Sequence, residues 1–133
     1  KVTASMSTHS QGHGTATTMA QVIADSLGVA YEDVTVFEGD SAHGGFGPGA
    51  AGSRQGVAGG GASLKAAELL SAKVRTIAAH LLNASADSIR IEQGMVHVDG
   101  APEMSRSLRD IAEVAYGDPS RLPLVVQATP LAF

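Results

Sequence analysis

Two glycine-rich stretches carry the residues whose types and spacing could do chemistry. The first is Ser10-Gln11-Gly12-His13-Gly14-Thr15-Ala16-Thr17-Thr18, which joins a strand pattern to a helix pattern. Free backbone N–H groups at a helix start, with the helix dipole behind them, attract an anion or a carbonyl-rich ligand. Gln11 and His13 alternate with glycine and can project into one site. Thr15, Thr17 and Thr18 add hydroxyl donors. The stretch is neither a P-loop, since no Lys follows, nor a GxGxxG fingerprint. An ordinary strand–helix turn with Thr15 as N-cap fits the same residues.

The second stretch runs from Gly39 to Gly56 through Asp40, His43, Phe46, Gly52, Ser53 and Arg54. Structureless loops of this length inside a small domain are usually functional or disordered. It also ends at a helix start, where Arg54 could grip a phosphate or carboxylate with both arms of its guanidinium. The plainer alternative is a flexible loop with a solvated Arg. Local physics therefore offers an anion cradle built from two loops.

Other chemistries find little. His9 and His13 lie four apart but not on a predicted helix, and a metal site needs three or four ligands with a supporting shell. No protein-ligated metal is expected. His80 and His97 are assigned to the surface or to local packing. No Ser-His-Asp set and no paired carboxylates are evident, so no catalytic residue is assigned. Asp40 is read as a brace for its loop through backbone hydrogen bonds.

The elements that must position these loops follow from periodicity. Val2, Ala4 and Met6 alternate with polar residues, as in a half-buried strand. Met19, Ile23 and Leu27 recur along one face of a helix from Thr15 to Leu27, which Gly28 stops. A turn at 30–33 leads into a strand over Val34–Phe37. A long helix is predicted from Gly56 to Asn83, with Leu64, Ala67, Leu70, Val74, Ile77, Ala78 and Leu81 at helical spacing. Ser88–Glu92 and Met95–Val98 flank Gln93-Gly94 as a β-hairpin. Ser107 caps a helix over Leu108–Tyr116, with Asp110 three residues on and Gly117 as the stop. Leu124–Ala128 reads as a last strand. The order βαβαββαβ gives an α/β (α+β layered) class, a small sheet with helices packed on it.

The chain has 133 residues, enough for a single domain over residues 1–133. Net charge is −4 and no stretch concentrates Lys or Arg, so nucleic-acid binding lacks its footprint. No apolar run has membrane-spanning length and no signal-peptide pattern is present. The absence of cysteine excludes disulfides, a thiolate nucleophile and Cys-ligated clusters within these residues, and is compatible with the cytoplasm. Aromatic residues are 4% of the chain and Trp is absent, so the core is thin and packing against further domains or partners is expected. The chain opens at once in a strand pattern and closes on Thr129-Pro130-Leu131-Ala132-Phe133 without a polar tail. A piece of a longer polypeptide is the expectation.

The order of motifs resembles a known family. Gln11-Gly12-His13-Gly14-Thr15-Ala16-Thr17-Thr18-Met19-Ala20-Gln21 is followed by Ile23-Ala24-Asp25-Ser26-Leu27-Gly28-Val29, Glu32-Asp33-Val34 and Gly39-Asp40-Ser41. Then comes Gly47-Pro48-Gly49-Ala50-Ala51-Gly52-Ser53-Arg54. The series is similar to the second molybdenum-cofactor-binding region of the xanthine oxidase family. That family includes aldehyde oxidoreductases, aerobic carbon monoxide dehydrogenase large subunits and N-heterocycle hydroxylases.

The resemblance implies a molybdopterin, often as its cytosine dinucleotide, held between the loops. Gln11, Gly12, His13, Gly14 and Thr15 would lie on one side, and Gly52, Ser53 and Arg54 on the other. The pterin dithiolene, not the protein, would hold the molybdenum. The implied reaction is hydroxylation at carbon with water as oxygen source, electrons leaving through iron–sulfur and often flavin centres on other domains or subunits. The implied partners are the rest of the large subunit and those electron-transfer subunits. The family's base is a Glu near the C-terminus of the full-length subunit, and no Gly-Glu motif here matches it. The isolated fragment is therefore expected to be inactive. Two departures stand out: the family commonly has Gln at the position of His13 and Ser at that of Gln55. A stand-alone phosphate- or nucleotide-binding module, and an interaction domain without catalysis, are the alternatives in other classes.

Overall fold

The computed structural model describes residues 1–47 and 49–127. The chain falls into two compact units, Lys1–Ala67 and a second that begins at Glu68.

The first unit is a β–α–β arrangement. Strand β1 covers Val2–Met6, helix α1 Thr15–Leu27 and strand β2 Val34–Glu38. Side chains of both strands alternate between half-buried and exposed, which is the period of a strand with one covered face. The strands run parallel, in register from Val2 opposite Val34 to Met6 opposite Glu38. Their carboxyl ends therefore share one edge, and both glycine loops leave from it. In α1 the predicted stripe is the buried face: Met19, Ile23 and Leu27 are all buried, joined by Ala20 and Ala24. Gly28 closes the helix in the left-handed region, φ 64°, donating its N–H to the Ala24 carbonyl.

Helix α2, Gly60–Leu82, follows one π-helical turn over Gln55–Gly59. The predicted start at Gly56 falls inside that turn. A side chain on Gly59 would stand 3.3 Å from Met19 Cε and 3.4 Å from Met6 Cε, so the ends of both methionines pack close against this turn. Along α2, Ala67, Val74, Ile77 and Ala78 are buried as the spacing predicts, whereas Leu64 is exposed. Ser63 takes the inward position instead, its hydroxyl 4.0 Å from Met6 Sδ. Asn83, φ 51°, ends the helix.

The second unit is an antiparallel sheet of β3 (Ile89–Glu92), β4 (Met95–Val98) and β5 (Ala101–Ser107), with α3 (Leu108–Gly117) and α4 (Leu124–Gln127). Its core joins Val74, Ile77, Ala78 and Leu82 to Ile89, Val96, Ile111, Val114 and Leu122. Gln93 (φ 49°) and Gly94 (φ 77°) turn the β3–β4 hairpin, both at the positive φ that a two-residue turn of the primed type requires. Ser107 and Asp110 form the reciprocal capping box, at 3.1 and 3.0 Å.

Two strand assignments are corrected here. The sequence reading has no strand at 101–107, yet β5 pairs with β4, Met95 opposite Ser107 and His97 opposite Ser105. Ala-Pro-Glu-Met-Ser-Arg-Ser has no β-branched or aromatic residue and carries a Pro, so its intrinsic preference is hidden. The open edge of β4 recruits it. In the other direction, Leu124–Gln127 of the expected last strand Leu124–Ala128 is helical, and Ala128 lies outside the described residues. Pro123 sits just before the helix start, and its carbonyl accepts from Val126 N–H (2.8 Å) and Gln127 N–H (3.0 Å). A short apolar run without alternation does not separate strand from helix. The order is thus βαβαβββαα, with strands in two sheets rather than one. The class remains α/β.

Candidate functional site

The two glycine loops meet at the shared carboxyl edge of β1 and β2. Open parallel sheets commonly bind ligands outside the carboxyl ends of their strands. The Gly39 N–H donates to the Thr8 carbonyl at 3.1 Å, which ties the start of the second loop to the start of the first. Asp40 then folds the second loop back. Its carboxylate accepts from Ala42 N–H (2.8 Å) and pairs with His43 Nδ1 (2.7 Å), while its carbonyl accepts from Gly44 N–H (2.8 Å). The imidazole contact first, and the Ala42 amide second, hold the Asp40 carboxyl below its ordinary range. Asp40 is the loop brace that its position suggested.

A cleft of about 340 Å³ opens between the loops, lined by Gln11 and His13 from one and by residues 50–56 from the other. Of the sequence-derived site residues, Gln11, His13, Gly52, Ser53 and Arg54 line it. Gly12 (φ 94°) and Gly14 (φ 71°) shape the first loop from outside that lining. Gly14, not Thr15, is the N-cap of α1, and no side chain caps the helix. The first turn also has no acidic residue. The leading N–H groups of α1 therefore have no side-chain cap and no acidic neighbour in the first turn. Thr15 is buried as the first residue of α1.

The wall between the loops is a hydrogen-bonded chain that sequence reasoning missed. Gln11 N–H donates to His13 Nδ1 at 3.2 Å. That leaves Nδ1 without a proton and puts the ring hydrogen on Nε2. His13 Nε2 bonds to Gln55 Oε1, and the Gln55 amide nitrogen donates to the His9 carbonyl at 2.9 Å. The Thr15 hydroxyl sits 2.9 Å from Nε2 and 3.5 Å from Gln55 Oε1. Gln55 is buried and forms part of the cleft wall. Its only signal in the sequence is its place directly after Ser53-Arg54 at the end of the glycine loop.

Residues 1–130 match the molybdopterin cofactor-binding domain family. The chain belongs to that family. The large subunit of nicotine 6-hydroxylase from Paenarthrobacter nicotinovorans is 40% identical over 122 residues, 92% of this chain and 15% of that subunit. The carbon monoxide dehydrogenase large chain of Afipia carboxidovorans is 36% identical over 118 residues, 89% of this chain and 15% of the relative. Among solved structures, quinoline 2-oxidoreductase from Pseudomonas putida 86 superposes with a TM-score of 0.80 at 36% identity, over 93% of this chain and 16% of that one. This molybdopterin-binding domain thus spans about one-seventh of the length of such relatives. Among its described residues, no group of three His, Asp or Glu is placed to hold a metal ion. No described helix is long and apolar enough to cross a membrane.

Proposed function

We propose that this chain is the second cofactor-binding region of a molybdenum hydroxylase large subunit, and that its two glycine loops clamp a molybdopterin, as its cytosine dinucleotide. The observation that carries the reading is the convergence of both loops on one cleft at the carboxyl edge of parallel strands, beside a helix start that no side chain caps.

The residues present fit such a group. The pterin cofactor is anionic through its phosphates, and the α1 N-terminus offers N–H donors with a favourable dipole. Gly12 and Gly14 would let the backbone approach closely, as no neighbouring atom lies within 4 Å of a side chain placed there. Across the cleft, Ser53 (φ 54°) precedes Arg54 (φ −85°, ψ −12°). The Arg54 N–H donates to the Ala51 carbonyl at 3.4 Å, which closes the turn that sets Ser53 and Arg54 along the cleft. The Arg54 guanidinium would add a charge-assisted contact. When bound, molybdopterin supplies the redox centre for hydroxylation of a carbon with water as oxygen source. This chain supplies its grip and orientation.

The parent enzyme would take its base, its substrate pocket, its iron–sulfur and flavin centres from other domains and subunits. The fragment by itself would be inactive. A cytoplasmic location goes with this reading. The test is bound molybdenum and pterin in the full-length polypeptide, compared with its Arg54→Ala variant. Loss of cofactor in the variant supports the clamp. A wild-type protein that lacks pterin and instead binds a free nucleotide such as CTP in calorimetry would replace the reading with a stand-alone nucleotide module.

A further inference from the structure

His13 and Gln55, both lining the cleft, are bonded to each other. They come from different loops, 42 residues apart. Every polar atom of the pair has a defined role. His13 Nδ1 accepts from Gln11 N–H, Nε2–H is directed at Gln55 Oε1 with the Thr15 hydroxyl 2.9 Å from the same nitrogen and 3.5 Å from that oxygen, and Gln55 Nε2–H donates to the His9 carbonyl. The amide cannot be flipped without setting its NH₂ against Nε2–H and its oxygen against the His9 carbonyl. The Gln11–His13 contact in turn admits only the Nε2–H tautomer. Each assignment thus requires the other.

We propose that Gln55 is a positioning residue that acts through His13. It locks the imidazole tautomer, ties the first loop at residues 9, 11 and 13 to the start of the π-helical turn, and thereby sets the width of the cofactor cleft. His13 acts as the strut between the loops, its hydrogen on Nε2 spent on Gln55. Gln11 and Arg54 line the same cleft. The inference rests on the cofactor reading for the identity of the ligand, while the lock itself is made of this chain's own residues.

The test uses the full-length polypeptide with Gln55→Ala, His13→Ala, the double variant, and His13→Gln. The Gln side chain places an N–H donor near the position of imidazole Nε2 and keeps the contact to Gln55 Oε1. Two readouts are taken: bound molybdenum and pterin per chain, and hydrogen exchange over residues 9–14 in cofactor-free protein. Each alanine variant is expected to lower cofactor retention roughly two- to tenfold, the worth of one hydrogen bond. The double variant should lose no more than His13→Ala does, because Gln55 acts only through His13 and the shared contact is lost only once. His13→Gln should retain most of the cofactor. Exchange over residues 9–14 should quicken in Gln55→Ala as it does in His13→Ala. Unchanged exchange in Gln55→Ala, or losses that simply multiply in the double variant, would overturn the lock. A wild type without pterin would overturn the cofactor reading instead, while the exchange measurement would still decide whether the pair couples the loops.

Discussion

Gly47 lies directly against Ser7. A Cβ on Gly47 would fall 2.1 Å from Ser7 Oγ, 2.4 Å from its Cβ and 3.0 Å from its carbonyl oxygen. The second loop therefore passes back over the end of β1 at a point where only hydrogen fits. Gly47→Ala should displace the loop and cost about 1–3 kcal/mol, the usual range for overpacking. Ser7→Gly in the same protein should recover part of that loss and not all, because the Ser7 carbonyl stays in place. Chemical denaturation of the single and double variants measures both effects. Equal stability of Gly47→Ala and wild type would refute the close crossing.

Gly52 fails by a different route. Its added Cβ would meet nothing within 4 Å, but its φ of +59° lies in the left-handed region. Gly52→Ala should cost about 1–2 kcal/mol through the backbone alone. No second-site substitution at a neighbour should rescue it, in contrast to Gly47→Ala. The same denaturation series separates the two cases.

The capping box gives a pH-dependent signature in the second unit. Asp110 is held below its ordinary carboxylate value of 3.8, first by the Ser107 backbone N–H and then by the Ser107 side chain. The folded form thus binds the proton more weakly than the unfolded form. The stability it contributes is present above 3.8 and is lost as pH falls through the lower folded value. Asp110→Asn should flatten that acid-side loss. Ser107→Ala should cost about 1 kcal/mol at neutral pH. Hydrogen exchange of the α3 amides, read above and below this window, reports both.

The core of the second unit should respond strongly to truncation. Ile89 is fully buried among residues of α2, α3 and β4. Ile89→Ala should cost about 2–5 kcal/mol, combining lost transfer energy with a cavity. Faster exchange in β3–β5 amides is the expected readout.

Much of this fold is legible in the residue pattern because local signals agree with tertiary demands. The α1 stripe of Met19, Ile23 and Leu27, the Gly28 stop, the Gln93-Gly94 turn and the Ser107–Asp110 box each need only near neighbours. β5 was hidden because Ala101–Ser107 has no strand preference of its own, and its pairing comes from β4. Leu124–Gln127 is helical although its apolar run carries no period, because the start signal is Pro123, whose carbonyl accepts from Val126 and Gln127 N–H. At the site, the glycines, Gln11, His13 and Arg54 announced themselves through spacing. Gln55 did not. Its partner is 42 residues away, and only the folded chain brings its oxygen to the imidazole.

The most direct measurement is the molybdenum and pterin content of the full-length polypeptide, purified from molybdenum-replete cells, beside that of Arg54→Ala. Near-stoichiometric molybdenum and pterin in the wild type, with a marked loss in the variant, is the expected result. A wild type free of pterin, or a variant that retains the full complement, would contradict the assignment of the two glycine loops as a molybdopterin clamp.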